Sequence, residues 1–417
     1  MIPLRSTTRA FARATWRVSY HQNSYPLRGV STVNPHRIGG IFEPFLEQNA
    51  RNKGNTIEEQ AKDNEGATVN VKKLFLKDVL ASDDKLKART QHKLTSLSVD
   101  EQKRIIELVL ERLKDGTVPE DHILRMAKSK PTELTTLAQT IVTEPYGAPV
   151  ALELFRIAMA GGDDTAAFGY GTMLYRGRPG IVKDEAKGVE ILTNLARKGH
   201  PHAQLNLASI YMREAKQSKQ ALELYELAGR GGANSAWAEL GRIYRYGKGE
   251  IEKSHEKALH YFQRGHDAGN AQCTFMLGVY YGSNEYFPNP DSQKAFSYFE
   301  KAAMKGLAEA QYNVGFRYFT GDGVQQDYKM AVEYWKMASA QGFQLAQINL
   351  GNMYLEGRGI SRDLIQARRL FEAAITRGGP IGKGALKSLK VLETLEKENN
   401  NTKDNGDSKG GSYCRIM

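Results

Sequence analysis

Cysteine is nearly absent: the 417 residues include only Cys273 and Cys414. One lies in an apolar stretch and the other four residues from the carboxyl end, which excludes a disulfide framework. No run of 18 apolar residues occurs, so no segment is long enough to cross a bilayer as a helix. Acidic residues are missing from positions 1–42, which carry Arg5, Arg9, Arg13, Arg17, Arg28 and Arg37. That segment therefore holds +6 of the formal charge of +11, and the rest of the chain is weakly basic, too weakly to indicate nucleic acid as a partner. Catalytic constellations are missing too. Gly247-Lys248-Gly249 follows a helical pattern and not a strand, which argues against a dinucleotide fingerprint. His200 and His202, with the scattered His255, His260 and His266, lack a second ligand set at metal spacing. The expectation is a non-enzymatic chain with no cofactor, no metal and no small-molecule substrate.

What the chain does contain is repetition. Gly171, Ala208, Gly241, Gly278, Gly315 and Gly351 follow one another at intervals of 37, 33, 37, 37 and 36. Five residues before each stands Ala166, Ala203, Ala236, Cys273, Ala310 or Ala346, and three after it Leu174, Tyr211, Tyr244, Tyr281, Tyr318 or Tyr354. Small residues at minus five and zero, an apolar one at minus one and an aromatic at plus three form one stripe at helical spacing. Cys273 stands where the other repeats have alanine, so it reads as a small buried packing residue. A second helix carries Gly188, Ala221, Ala258, Ala295, Ala331 or Ala367 and closes at Gly199, Gly232, Gly269, Gly306, Gly342 or Gly378. A period of this length marks an α-solenoid of helix pairs, an architecture that binds more often than it catalyses.

These residues resemble the Sel1-like repeat family, a relative of the tetratricopeptide repeat with a longer loop between its helices. The loop signature Tyr-x-x-Gly-x-Gly appears as Tyr244/Gly247/Gly249, Tyr318/Gly321/Gly323 and Tyr354/Gly357/Gly359. Two units depart from it. The one at Ala208 is four residues shorter and has no glycine loop; the one at Gly278 has Asn284 in place of glycine and the loop NEYFPNPDSQ with two prolines. The resemblance covers Thr132 to Leu395 and implies an all-α fold: a right-handed superhelix of about seven helix pairs.

The ends read differently. Residues 1–40, Arg-, Ser- and Thr-rich and acid-free, have the character of a cleaved mitochondrial transit peptide, with Leu4, Phe11 and Val18 on one helical side and the arginines on another. Residues 41–84 read as a disordered linker and 85–131 as an N-terminal helical region that caps the solenoid. In that region Ser98 and Glu101 form a capping box and Pro131 opens a helix. The solenoid spans 132–397, closed by a helix with Leu386, Leu389, Leu392 and Leu395, and 398–417 is a disordered tail. Cys414-Arg415-Ile416-Met417 matches a prenylation box, apart from Arg415, which makes Cys414 a candidate lipidation site.

These signals give a mitochondrial adaptor, in the matrix or on the matrix face of the inner membrane, that holds a partner polypeptide during assembly, export or expression of respiratory-chain components such as cytochrome c oxidase. The alternatives are a farnesylated cytosolic or membrane-associated activator of a membrane enzyme such as a cell-wall synthase, and a mitochondrial stress-signalling relay. Tetratricopeptide geometry, carried over through the resemblance, turns the first helices toward a groove lined by Arg176, Arg213, Arg242, Arg245, Tyr246, Phe275, Tyr312, Phe316, Phe319 and Asn352. A groove of arginines and aromatics suits an amphipathic or acidic segment of a protein partner, with peripheral association to the inner membrane.

Overall fold

In the computed structural model, which describes residues 71–407 except 81 and 214–216, helices follow one another through short turns, and no strand occurs among the described residues. The expected transit peptide, most of the expected linker and Cys414 lie outside the described residues. Four N-terminal helices, α1 (Leu76–Val79), α2 (Asp83–Gln91), α3 (Val99–Asp115) and α4 (Glu120–Met126), precede seven pairs. The pairs are α5 (Pro131–Ile141) with α6 (Ala148–Ala160), α7 (Asp164–Arg176) with α8 (Glu185–Arg197), and α9 (Pro201–Tyr211) with α10 (Ser218–Arg230). Then come α11 (Ser235–Tyr246) with α12 (His255–Asp267), α13 (Ala271–Tyr281) with α14 (Ser292–Met304), α15 (Ala308–Thr320) with α16 (Tyr328–Ala340), and α17 (Gln344–Glu356) with α18 (Leu364–Thr376). Helix α19 (Gly379–Asp407) closes the series. This is the expected all-α solenoid. The described residues form two compact units, one ending at Ala236 and one beginning at Trp237.

In four of the first helices the central glycine is a seat for a ring. A Cβ on Gly241 would lie 2.3 Å from Phe262, one on Gly278 2.8 Å from Phe299, one on Gly315 2.7 Å from Trp335 and one on Gly351 2.6 Å from Phe371. All four rings are buried. The alanines of the second helices, Ala258, Ala295, Ala331 and Ala367, are buried as well, so the two helices of a pair meet through small residues and one large aromatic.

Loops of nearly constant length follow from a second recurring contact. In five of the seven pairs the residue that caps the second helix, Asp184, Ser254, Asp291, Asp327 or Asp363, accepts from that helix's first turn through its side chain. Its own N–H donates back to the carbonyl of Leu174, Tyr244, Tyr281, Tyr318 or Tyr354 at 2.8–3.0 Å. The second glycine of the loop lies against the preceding pair: a Cβ on Gly323 (φ 76°) would meet the Ser292 carbonyl at 2.1 Å, and one on Gly359 (φ 70°) the Tyr328 carbonyl at 2.5 Å. Successive pairs are also clasped at their turns, where Lys305 Nζ donates to Gly269 O (2.8 Å) and Gln341 Nε2 to Gly306 O (3.0 Å).

The N-terminal region shares one core with the first pairs, running from Leu74 through Ile105, Ile106 and Leu137 to Leu174 and Ile181. The capping box at Ser98 and Glu101 forms, and α3 ends at Gly116 in the left-handed conformation. Arg112 and Arg156 each bridge Glu120 and Glu153 at 2.6–2.8 Å, tying α3, α4 and α6 together. Two boundaries differ from expectation. Leu74 and Val79 are buried in this core, so helical structure starts inside the stretch expected as linker. At the other end α19 continues to Asp407, into the expected tail. Its buried stripe is Ala385, Ser388 and Leu392, while Leu386 is exposed, because a spacing of three drifts off a face that repeats every 3.6 residues.

The ring seats predict opposite outcomes for two glycines. Gly241→Ala lowers the thermal midpoint, with an overpacking cost of about 1–3 kcal/mol that outweighs the helix-propensity gain. Gly384→Ala, in helix α19 with nothing within 4 Å of its Cβ, raises it. Thermal unfolding followed by circular dichroism of the two variants checks the pair.

Candidate functional site

Arg176 and Arg213 in the first unit and Arg242 in the second are exposed, as a binding surface requires. Arg213 lies 5.6 Å over the Tyr175 ring of the preceding pair, and Arg242 pairs with Glu239 at 2.5 Å. Tyr246 and Asn352 are half-buried.

Other residues expected in the groove serve packing. Phe275 is only 4% exposed and packs with Phe299 at 5.4 Å, so it does not line a surface. Tyr312, Phe316 and Phe319 are half-buried around the core that holds Trp335; Tyr312 meets Phe343 at 5.2 Å, and Phe319 meets Tyr328 at 5.4 Å and Trp335 at 5.7 Å. The reason is the same for all four: at minus three, plus one and plus four a large ring is covered by the neighbouring helix instead of facing solvent.

Arg245 is 9% exposed and is the centre of a cluster that the sequence reading did not assemble. The loop after α13 carries Tyr286 back onto Tyr280, ring on ring at 4.2 Å. The Tyr286 hydroxyl accepts from Arg245 Nη2 at 2.9 Å and Nε at 3.2 Å, and Arg245 Nη1 reaches Met276 Sδ at 3.5 Å. Tyr246, at 4.8 Å, offers its ring face to the same guanidinium. His255 stands edge-on to Tyr286 at 4.7 Å, with its Nδ1 3.1 Å from the Tyr280 hydroxyl. Burial pushes the His255 pKa below its ordinary value, and the positive charges of Lys253 and Arg245 push it further, against the opposing pull of Glu285. Burial likewise raises the Tyr280 and Tyr286 hydroxyls, so both stay protonated. Chemically this cluster holds and orients; it has no activated nucleophile. Cys273, the other reactive group nearby in sequence, is buried with its thiol pushed up to about 12.

Arg317 is a second buried arginine outside the expected set. It donates to the Ser292 and Asp322 carbonyls at 3.2 and 3.1 Å and bridges the Asp322 carboxylate at 2.9 Å, knitting one pair to the next. The available signal for the Arg245 cluster was the irregular loop NEYFPNPDSQ, whose Tyr286 does the bonding. No comparable signal marked Arg317, since arginine at plus two looks like a solvated residue. Among the described residues no group of three or more His, Cys, Asp or Glu side chains could hold a metal ion.

Tyr286→Phe removes the oxygen that, among the described residues, accepts from Arg245, a loss of about 1–3 kcal/mol in chemical unfolding. Combining it with Arg245→Met, which removes the charge, recovers much of that loss. Because the folded pKa of His255 lies below that of an unfolded histidine, its contribution to stability is complete above the ordinary value of 6.5 and declines as pH falls through the folded value. The thermal midpoint therefore drops between about pH 7 and about pH 5, and drops less in His255→Gln.

The Sel1 repeat model matches residues 165–200, 201–232, 236–270, 271–307, 308–343 and 344–379, just over half of the chain and, within a few residues at each end, the pairs α7/α8 through α17/α18. An uncharacterized protein of Neisseria meningitidis serogroup B is 28% identical over 149 residues, which is 36% of this chain and 30% of that protein. Chitin synthase regulatory factor 1 of Schizosaccharomyces pombe is 32% identical over 124 residues, 29% of this chain and 27% of the relative. The chain thus spans under a third of the length of these relatives. A protective antigen of uropathogenic Escherichia coli displaying an SLR fold superposes with a TM-score of 0.52 at 22% identity, over 75% of this chain and 72% of the other, a likeness of fold. With six consecutive matches lying on helix pairs, four of which share one ring seat and five one loop clasp, the chain belongs to the Sel1 repeat family.

Proposed function

We propose that this protein is a non-enzymatic adaptor that holds a partner polypeptide on the matrix side of the mitochondrial inner membrane during assembly, export or expression of respiratory-chain components. The observation that carries the adaptor role is the row of Sel1 pairs, whose first helices keep arginines exposed, Arg176 and Arg213 in one unit and Arg242 in the other. Arginine forks on a rigid helical scaffold suit the carboxylates of an acidic or amphipathic segment. Support for the compartment comes from the acid-free, arginine-rich start of the chain.

A second reading, a prenylated activator of a membrane enzyme, is favoured by two observations: the similarity to a chitin synthase regulatory factor and the box beginning at Cys414. That similarity covers 29% of the chain, in a protein whose repeats make up just over half of it. The box departs from the prenylation pattern at Arg415.

Cell fractionation separates the two. Replacing Arg5, Arg9 and Arg13 by Glu leaves the protein in the cytosol if the start is a transit peptide, whereas Cys414→Ser changes nothing. Unchanged mitochondrial recovery of the first variant, or release of the second from membranes, reverses the ranking. For the adaptor role, the Arg176→Glu/Arg213→Glu variant keeps its circular dichroism spectrum and loses partner recovery in a pull-down; retention of every partner removes these arginines from the binding surface.

A further inference from the structure

Helix α19 takes the place that the first helix of another pair would occupy. Thirty-six residues after Leu350, Gly351 and Tyr354 come Leu386, Lys387 and Lys390. In the preceding first helices the minus-one residue, Leu240, Leu277, Val314 or Leu350, is buried under its second helix. Leu386 is 43% exposed, because among the described residues no second helix follows. Lysine replaces the glycine on which a ring would seat, so this face does not accept a further pair of the same kind.

From Lys383 to Lys397 the charges of α19 are segregated around the helix. Ala385, Ser388 and Leu392 are buried on the inner side, and Glu393 and Glu396 turn toward Arg368 of α18. Lys383, Lys387, Lys390 and Lys397 are all exposed. At 100° per residue they fall within one narrow arc of the outer side, in a row that extends about 21 Å along the axis. Among the described residues none of the four makes an ion pair, and Leu386 and Val391 (37% exposed) flank the row.

We propose that this row is a contact surface for an anionic membrane. Every cation in it is lysine, a flexible point charge, and none is arginine, the residue whose planar fork recognises individual carboxylates in a protein interface. Four such charges spread over more than two Debye lengths match a surface whose negative charge is also spread out. The flanking Leu386 and Val391 add shallow apolar contact at the headgroup boundary. A membrane contact here is independent of which polypeptide the adaptor holds.

The test is co-sedimentation of the full-length protein with phosphatidylcholine vesicles, with and without about one-quarter phosphatidylserine, at low and high salt. The acid-free start of the chain also attracts anionic lipid, so the quantity read is the difference between variants. Each lysine contributes about fivefold to affinity, so Lys383→Glu/Lys387→Glu/Lys390→Glu weakens binding to the anionic vesicles by about a hundredfold or more. The matching lysine-to-arginine variant retains binding, since only charge is required. A charge-matched control at the exposed, scattered Lys87, Lys219 and Lys329 has a much smaller effect. Equal losses in the triple variant and the control, or equal binding by parent and triple variant, overturn the proposal. So does stripe-dependent binding of an oligoglutamate peptide by a protein that shows no stripe-dependent binding to vesicles, which assigns the row to an acidic polypeptide.

Discussion

A flat ring resting on bare backbone sets the geometry of this protein. Phe262, Phe299, Trp335 and Phe371 each lie where a Cβ on the facing glycine would intrude, so the distance between the two helices of a pair is fixed by ring thickness. Glycine inside a helix costs about 1 kcal/mol relative to alanine. A buried aromatic returns about 1.5–3 kcal/mol or more through the area it removes from water, which makes the exchange favourable in these four repeats. The short unit at Ala208 solves the same problem differently: the buried aromatic of its second helix is Tyr225, whose hydroxyl bonds Ser209 at 3.0 Å.

Once that spacing is set, the remaining contacts are local. In five pairs the cap of the second helix reaches back to the carbonyl at plus three, the second loop glycine leans on the preceding pair, and long side chains such as Lys305 and Gln341 clasp the turn one repeat earlier. Each contact joins a pair to itself or to its neighbour. Stability in such a chain is a sum over repeats and their interfaces, so one irregular unit is tolerated if its own contacts are complete. The loop NEYFPNPDSQ illustrates this. It lacks the glycine pattern, yet Tyr286 takes over by stacking on Tyr280 and accepting from Arg245.

Buried arginines distinguish this solenoid from a purely apolar stack. Arg245 meets a phenol oxygen, a thioether and ring faces, and Arg317 meets two carbonyls and a carboxylate. Groups with this many directional partners fix the orientation of adjacent pairs, which apolar packing alone leaves less determined. The exposed arginines Arg176, Arg213 and Arg242 have fewer contacts.

Much of the architecture was legible in the sequence. The period of 36 to 37 residues, the small residues at minus five and zero and the glycine turns specify seven helix pairs, because helical spacing and backbone freedom are local properties of the chain. The capping box at Ser98 and the helix start at Pro131 were legible for the same reason. What the sequence could not specify is which neighbour covers a given side. Phe316 stands at the same helical position as exposed Arg242, yet it packs around the core that holds Trp335, and Phe275 and Phe319 are met by rings of their own second helices. Arg245 and Tyr286 are 41 residues apart and meet only because two repeats stack. Leu386 continues the apolar pattern of every first helix but is exposed because no further second helix covers it among the described residues. Periodicity gives the angle of a residue around its own helix, and only the packed neighbours decide whether that angle faces protein or water.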